Sequence, residues 1–312
     1  IMGIPDVFSL SRAAKIPLLD LLPSLLRERE VEHVIAAAVG ANCDRFELIR
    51  RLGQLVSCGC LEPEDCGRGL ALVGIHPLSL AFTTDDLPRR NRLASHLGVT
   101  LSPVWAEALN LIGLADPGGG PPENLLVHGD LLLRNVAGLE SLPAGLAVYS
   151  GLVLSCLPDL TSLPQDLWVA CVLAVSDCPH LAGWPESDLF THDGREQSFS
   201  RLGAVPMALS LGFQSLPRFA RLPRSFGRQP IRSLAIESCP ALGRIPTGLQ
   251  LNTLELKSTL TAVCSLETGL ARTVELAGIP NLRQIHVPAD ACIAHLSLRD
   301  LPELRTLSGP GT

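Results

Sequence analysis

The chain has 312 residues, of which 46% are apolar but only 4% aromatic, with 27 Gly, 25 Pro and a formal net charge of −6. That balance excludes a basic field that would gather nucleic acid or anionic lipid, and no apolar run reaches the roughly 18 residues that a bilayer-spanning helix needs. A core with so few rings must be filled by Leu, Val, Ile and Ala, which suits a thin repetitive core better than one deep centre.

From the N-terminus, the apolar stretch 16–26 is interrupted by Pro17, Asp20 and Pro23, and reads as helix rather than as a signal peptide. Apolar periodicity predicts helices over 18–27, 31–39, 45–56, 87–97 and 104–114. Ser102-Pro103 supplies an N-cap and a first-turn proline for the last of them. The run Asp116-Pro117-Gly118-Gly119-Gly120-Pro121-Pro122 breaks structure, so residues 1–115 are expected to form an α-helical N-terminal domain and 116–123 a linker. The expected role of that domain is to cover the open first unit of a repetitive C-terminal segment. Its size exceeds what a cap requires, so the rival reading is an enzymatic or modifying activity in 1–115, with the repeats selecting the substrate.

The same third of the chain holds Cys43, Cys58, Cys60 and Cys66, with His76 nearby, in the sequence's one metal-like grouping. Thiolates and imidazoles at close spacing suit zinc or an iron–sulfur centre. The spacing argues against it: Cys58-Gly59-Cys60 has a single intervening residue, and no second C-x-x-C pair is present downstream. The expectation is no metal and no other cofactor. Ten cysteines in so long a chain are expected to be reduced thiols, in a cytoplasmic protein or one secreted without a classical signal peptide.

Residues 124–308 repeat. A Leu-Pro or Trp-Pro step recurs at Pro143, Pro164 and Pro185, 21 residues apart each time. L-x-L pairs keep that step at Leu131/Leu133, Leu152/Leu154 and Leu173/Val175, and so do L-x-x-L pairs at Leu139/Leu142, Leu160/Leu163 and Leu181/Trp184. A fourth unit has a polar strand half near Gly194–Glu196, followed by Leu202/Val205/Pro206. Further L-x-L pairs fall at Leu209/Leu211, Leu234/Ile236, Leu254/Leu256, Val274/Leu276 and Leu296/Leu298. Their L-x-x-L partners are Phe219/Leu222, Leu242/Ile245, Leu260/Val263, Leu282/Ile285 and Leu304/Leu307. About nine units result. Alternation in L-x-L sends two side chains inward from a short strand, the L-x-x-L pair returns along the other side, and stacked units share one aliphatic core.

The text of 145–164, G-L-x-V-x-x-x-L-x-L-x-x-x-P-x-L-x-x-L-P, resembles bacterial leucine-rich-repeat proteins with short repeats, some of them host-targeted effectors with an attached ubiquitin ligase. The resemblance covers 124–308. It implies an α/β solenoid, a leucine-rich-repeat horseshoe with short parallel strands, and a ligand-binding concave face. The ligase branch carries a Cys-x-Asp motif that none of the cysteines here matches, so ligase chemistry is not expected. In the family the position three residues past the strand favours Asn or Cys; here it reads Val136, Leu157, Cys178, Gln214, Cys239, Thr259, Ile279 and Leu301.

The middle residue of each L-x-L should face outward. It reads Leu132, Val153, Ala174, Ser210, Ala235, Glu255, Glu275 and Ser297, an aliphatic column that turns polar and acidic. The expected binding residues are therefore Leu132, Val153, Ala174, Glu255, Lys257, Glu275, His295 and Arg299, recognising a protein partner. No membrane contact and no nucleic acid is expected, and no catalytic residue is assigned, because no histidine pairs with a nucleophile and no G-x-S-x-G, P-loop or G-x-G-x-x-G is present. Thr191-His192-Asp193-Gly194 reads as a surface loop. Arg218, Arg221, Arg224, Arg228 and Arg232 read as a solvated outer turn.

Overall fold

The structure, a computed structural model, describes residues 30–184, 209–223, 231–260 and 265–309, together with Pro23 and Phe226. It divides into two compact units, one drawn from Ile1–Gly129, Gly145–Tyr149 and Glu196–Pro206, the other from Asp130–Ala144, Ser150–Arg195 and Met207–Thr312.

The described part of the first unit holds α1 (Val31–Gly40), α2 (Arg45–Ser57), α3 (Pro63–Leu72), a 3₁₀ helix (Pro77–Thr83), α4 (Leu87–His96) and α5 (Pro103–Ala108). Helix α2 starts where the Asp44 carboxylate accepts from the Phe46 and Glu47 amides at 2.9 and 3.1 Å, which satisfies two of the donors every helix leaves open. Its buried face is Phe46, Leu48, Ile49 and Leu52. Gly53 continues that face because an added Cβ would lie 2.2 Å from Thr83 Oγ1, so only glycine lets α2 meet the 3₁₀ segment.

Apolar periodicity misses α3 because its buried face is made of Cys66, Gly67, Gly69 and Leu70, small residues that write no leucine stripe. The helix expected over 104–114 stops at Ala108: Asn110 and Gly113 adopt left-handed φ of 54° and 83°, although Leu109, Leu111 and Leu114 stay buried. Ser102 stands at the N-cap but its hydroxyl makes no cap bond, leaving Pro103 as the start signal. Apart from Pro23, the helix expected over 18–27 lies outside the described residues. The Pro/Gly run after α5 is a tight turn: the Gly118 amide donates to Asp116 Oδ1 at 2.9 Å, and the Asp116 amide donates to the Leu101 carbonyl at 2.8 Å.

The first unit also contains β1 (Leu126–Val127), paired in parallel with β3 (Ala147–Val148). The Leu126 amide donates to the buried Ser79 hydroxyl at 2.9 Å, and the His76 amide donates to the Asn124 carbonyl at 3.1 Å. The 3₁₀ helix and the residue that caps it therefore satisfy backbone groups in β1 and just before it that a preceding strand would otherwise have to pair. Phe46 and Tyr149 pack beside this edge with ring centres 5.2 Å apart.

The second unit is a parallel β-solenoid. Eight strands pair, each with the next in the chain: β2 (Leu131–Arg134), β4 (Gly151–Ser155), β6 (Val172–Ser176), β7 (Leu209–Gln214), β8 (Ile231–Glu237), β9 (Thr253–Lys257), β11 (Thr273–Ala277) and β13 (His295–Arg299). The two-residue β5 (Trp168–Val169) precedes β6, and β10 (Ser265–Glu267), β12 (Gln284–His286) and β14 (Thr306–Ser308) form a second, smaller parallel sheet. Inward residues such as Leu133, Leu154, Val175, Ile236, Leu256 and Leu276 are buried in one continuous aliphatic core. Leu298 is only half-buried and Leu296 is exposed, because β13 is the edge of the described sheet.

Pairing corrects the predicted alignment in two places, the register of β7 and the turn after β9. Strand β6 pairs directly with β7, and the described sheet has eight strands, one for each L-x-L pair. Gly194–Glu196 and Leu202/Val205/Pro206 lie outside the described residues. Within β7, Leu173 faces Leu211 and Val175 faces Phe213, so the inward pair is Leu211/Phe213, the outward middle residue is Gly212 rather than Ser210, and the residue three past the strand is buried Leu216 rather than exposed Gln214. The two-residue slip arises because Leu209, Leu211 and Phe213 are all apolar and buried, which makes both alignments read alike. In the turn after β9, Val263 lies outside the described residues, and the residue that pairs on the far side is Leu266, opposite Ile285.

Each strand leaves the sheet through one left-handed residue. Asn135, Cys156, Asp177, Ser215, Ser238, Ser258, Gly278 and Asp300 all have φ between 47° and 62°. The amides of the first seven donate to the carbonyls of Ser155, Ser176, Gln214, Glu237, Lys257, Ala277 and Arg299, at 2.9 to 3.2 Å. These acceptors belong to the next strand, so each of these seven corners is bonded to the strand stacked on it. Asn, Asp and Gly tolerate this conformation best, and Ser is small enough to adopt it. Ser238 is exposed, so Ser238→Val should destabilise by about 1–2 kcal/mol through its β-branch alone, whereas Ser238→Gly should change stability by less than about 0.5 kcal/mol; urea unfolding of the two variants is the check.

Candidate protein-binding face

The outward side of the eight-stranded sheet carries three columns fixed by strand pairing. The middle one runs Leu132, Val153, Ala174, Gly212, Ala235, Glu255, Glu275, Ser297. On one side stand Gly151, Val172, Ser210, Ser233, Thr253, Thr273 and His295, and on the other Arg134, Ser155, Ser176, Gln214, Glu237, Lys257, Ala277 and Arg299. All eight predicted binding residues therefore lie on this one face. Alternation along each pleated strand, with inward neighbours anchored in the core, is what holds them there.

The character of the face changes along the sheet. At the β2 end Leu132 is 49% exposed and Val172 43%, beside half-buried Val153 and Ala174. Gly212 and Ala235 form a stretch of small residues in the centre. Beyond them Glu255 and Glu275 are direct neighbours across paired strands. Like charges in such positions repel, and Lys257 relieves this by reaching both, Nζ standing 3.4 Å from Glu255 Oε2 and 3.4 Å from Glu275 Oε2. The hydrogen bond to Glu255, then its charge, raises the Lys257 pKa. The cluster is solvated, so it contributes little to stability; it leaves one net negative charge with both carboxylates still accessible. His295 and Arg299 are exposed on the edge strand β13.

Val172, Arg134 and Gly212 belong to the face but escaped the sequence reading. Val172 and Arg134 are found by stepping two residues from Ala174 and Leu132, since every second residue of a strand shares a side. Of the arginine run, Arg218 and Arg221 are exposed beyond β7 and Arg232 is exposed in β8, while Arg224 and Arg228 lie outside the described residues. Thr191–Gly194 also lies outside them.

In the first unit the candidate metal ligands separate. Cys66 is buried, its thiol pushed up to about 12 chiefly by burial, with Asp65 adding to the shift. Burial raises the half-buried Cys43 to about 11, with Asp44 adding. His76 caps the 3₁₀ helix, its Nδ1 accepting from the Leu78 amide at 3.2 Å. Only Cys58 and Cys60 of the set meet, at 3.1 Å. Among the described residues no group of three or more His, Cys, Asp or Glu side chains is placed to hold a metal ion, and no helix there is long and apolar enough to cross a membrane. The buried thiols of Cys178 and Cys239 sit in the solenoid, Sγ directed at the Ser176 and Glu237 carbonyls, and Thr259 Oγ1 donates to the Cys239 carbonyl at 2.8 Å.

No protein-family model, curated protein or solved structure matches this chain.

Burial drives the His76 pKa down to about 4. A histidine kept neutral in the folded state takes up protons preferentially on unfolding between that value and its ordinary one, so it makes stability fall as pH drops through the window from about 6.5 to 4. The unfolding free energy of the native protein should lose up to about 3 kcal/mol from this residue across that window. His76→Asn, which keeps an N-cap acceptor without a titrating ring, should show a smaller loss by that margin. Equal pH dependence in both proteins contradicts the assignment.

Proposed function

We propose that this chain is a leucine-rich-repeat protein of the short-repeat, bacterial effector-like kind, and that it works by binding a protein partner across the outward strand face. The single observation that carries the reading is the register: an exposed aliphatic end, a small-residue centre and an acidic end stand in one column on a hydrogen-bonded sheet. Side chains on so fixed a backbone lose little entropy when a partner docks. The aliphatic end, with Leu132 and Val172 solvent-exposed, offers the desolvated contact that dominates most interfaces. Glu255 and Glu275 add direction, favouring a partner that brings basic side chains to that end and Leu- or aromatic-rich surface to the other. The 21-residue step of the first three units and the L-x-L alternation of all eight strands support the leucine-rich-repeat assignment.

The full chain, immobilised as bait, should capture a partner whose binding depends on this face. Glu255→Lys combined with Glu275→Lys should weaken the measured Kd at least about tenfold, or 1.4 kcal/mol, with an unchanged thermal melt. Leu132→Asp should weaken it independently. Binding that survives all three substitutions in a folded protein removes the strand face as the site.

A further inference from the structure

The end of α2 places two thiols together in solvent. The helix closes in a Schellman motif: the Cys60 amide donates to the Leu55 carbonyl at 2.9 Å and the Gly59 amide to the Val56 carbonyl at 3.1 Å. Gly59 takes the left-handed conformation this requires, with φ of 72°. The fold-back turns the side chains of Cys58 and Cys60 to the same side, Sγ to Sγ 3.1 Å. The position Cys60 occupies is normally apolar and packs on the helix; here both residues are exposed and the sulfurs contact each other. Neither thiol contributes to the core, unlike Cys66, Cys178 and Cys239, which are buried.

We infer that Cys58-Gly59-Cys60 is a thiol–disulfide exchange site, a dithiol that reacts reversibly with small or protein disulfides. The geometry needs little change: drawing the sulfurs from 3.1 Å to a bond of about 2.0 Å takes rotation of both side chains. An adjustment at Gly59 is unobstructed, since nothing lies within 4 Å of where its Cβ would be. Once one proton has left the pair, the remaining S–H donates to the thiolate. That contact, with the backbone amides of Cys60 and Cys58 assisting, lowers the Cys58 pKa, and the thiolate is the nucleophile in this chemistry.

The exchange balances as two displacements. Cys58 thiolate attacks one sulfur of a disulfide such as oxidised glutathione, forming a mixed disulfide and expelling one glutathione thiolate, which takes up the proton Cys58 released. Cys60, losing its proton, then attacks the Cys58 sulfur, closes the Cys58–Cys60 bond and expels the second glutathione, which takes up that proton. Two electrons and two protons pass from the protein dithiol to the small disulfide, which becomes two thiols. A bond so exposed, closing so small a ring, has the high reduction potential of labile rather than structural disulfides, so reduced glutathione reopens it.

The test uses the full chain equilibrated with glutathione from fully reduced to fully oxidised, then acid-quenched, alkylated and mapped without reduction. At the oxidised end the peptide carrying Cys58 and Cys60 should lose both alkylatable thiols without gaining glutathione, and should recover them when the ratio is reversed. In Cys60→Ser, Cys58 should instead keep a bound glutathione, and that mixed disulfide should outlive its wild-type counterpart by about tenfold or more, because resolution within one turn has a high effective concentration. Two sulfurs that stay alkylatable in oxidised glutathione, or that each carry a separate glutathione, overturn the inference.

Discussion

One backbone hydrogen bond, repeated at seven successive corners, organises the solenoid. A left-handed residue directly after each strand points its amide at the last carbonyl of the neighbouring strand, as Asn135 does to Ser155 and Gly278 does to Arg299. The corner redirects the chain, so the next residue, such as Val136, Leu157, Leu216 or Ile279, drops into the core. It also fixes strand register, because slipping by one residue would orphan the corner amide and turn the leucines outward together. The three outward columns are a consequence of this lock.

The leucine pattern made the repeat, its strands and the outward column legible without coordinates, since period-two alternation and a shared 21-residue step each have one physical meaning. The features it left hidden have the same physical origin. The slip at β7 occurred where three alternate residues are all apolar, so alternation alone has two solutions; the corner decides between them, because Ser215 holds the left-handed position only in the observed register. Corner identities, Asn, Cys, Asp, Ser, Ser, Ser, Gly and Asp, are too varied to register as a motif until φ unites them. In the helical unit α3 stayed hidden because its buried face is cysteine and glycine, and α5 was overextended because buried leucines continue past Asn110 into a non-helical segment.

The proposed function rests on where this regularity turns side chains away from the core. The outward columns stand on a hydrogen-bonded sheet and grade from aliphatic to acidic, and this gradation is what supports the proposed recognition role. The Cys58–Cys60 pair belongs to a different element and a different logic, a helix terminus whose fold-back juxtaposes two sulfurs. The buried thiols of Cys66, Cys178 and Cys239 show the contrast: burial raises their pKa and they behave as small core residues.

The register of the solenoid requires the corners to be closed in solution. Native-state hydrogen exchange, resolved to single amides by NMR, measures this directly at Asn135, Cys156, Asp177, Ser215, Ser238, Ser258 and Gly278. Closed corners predict protection of these seven amides comparable to that of inward strand residues such as Leu154 and Leu256, although most of the seven side chains are exposed. Exchange at the rate of open loop amides would show that the turns are not tied at their corners, and the fixed columns of the proposed binding face would lose their foundation.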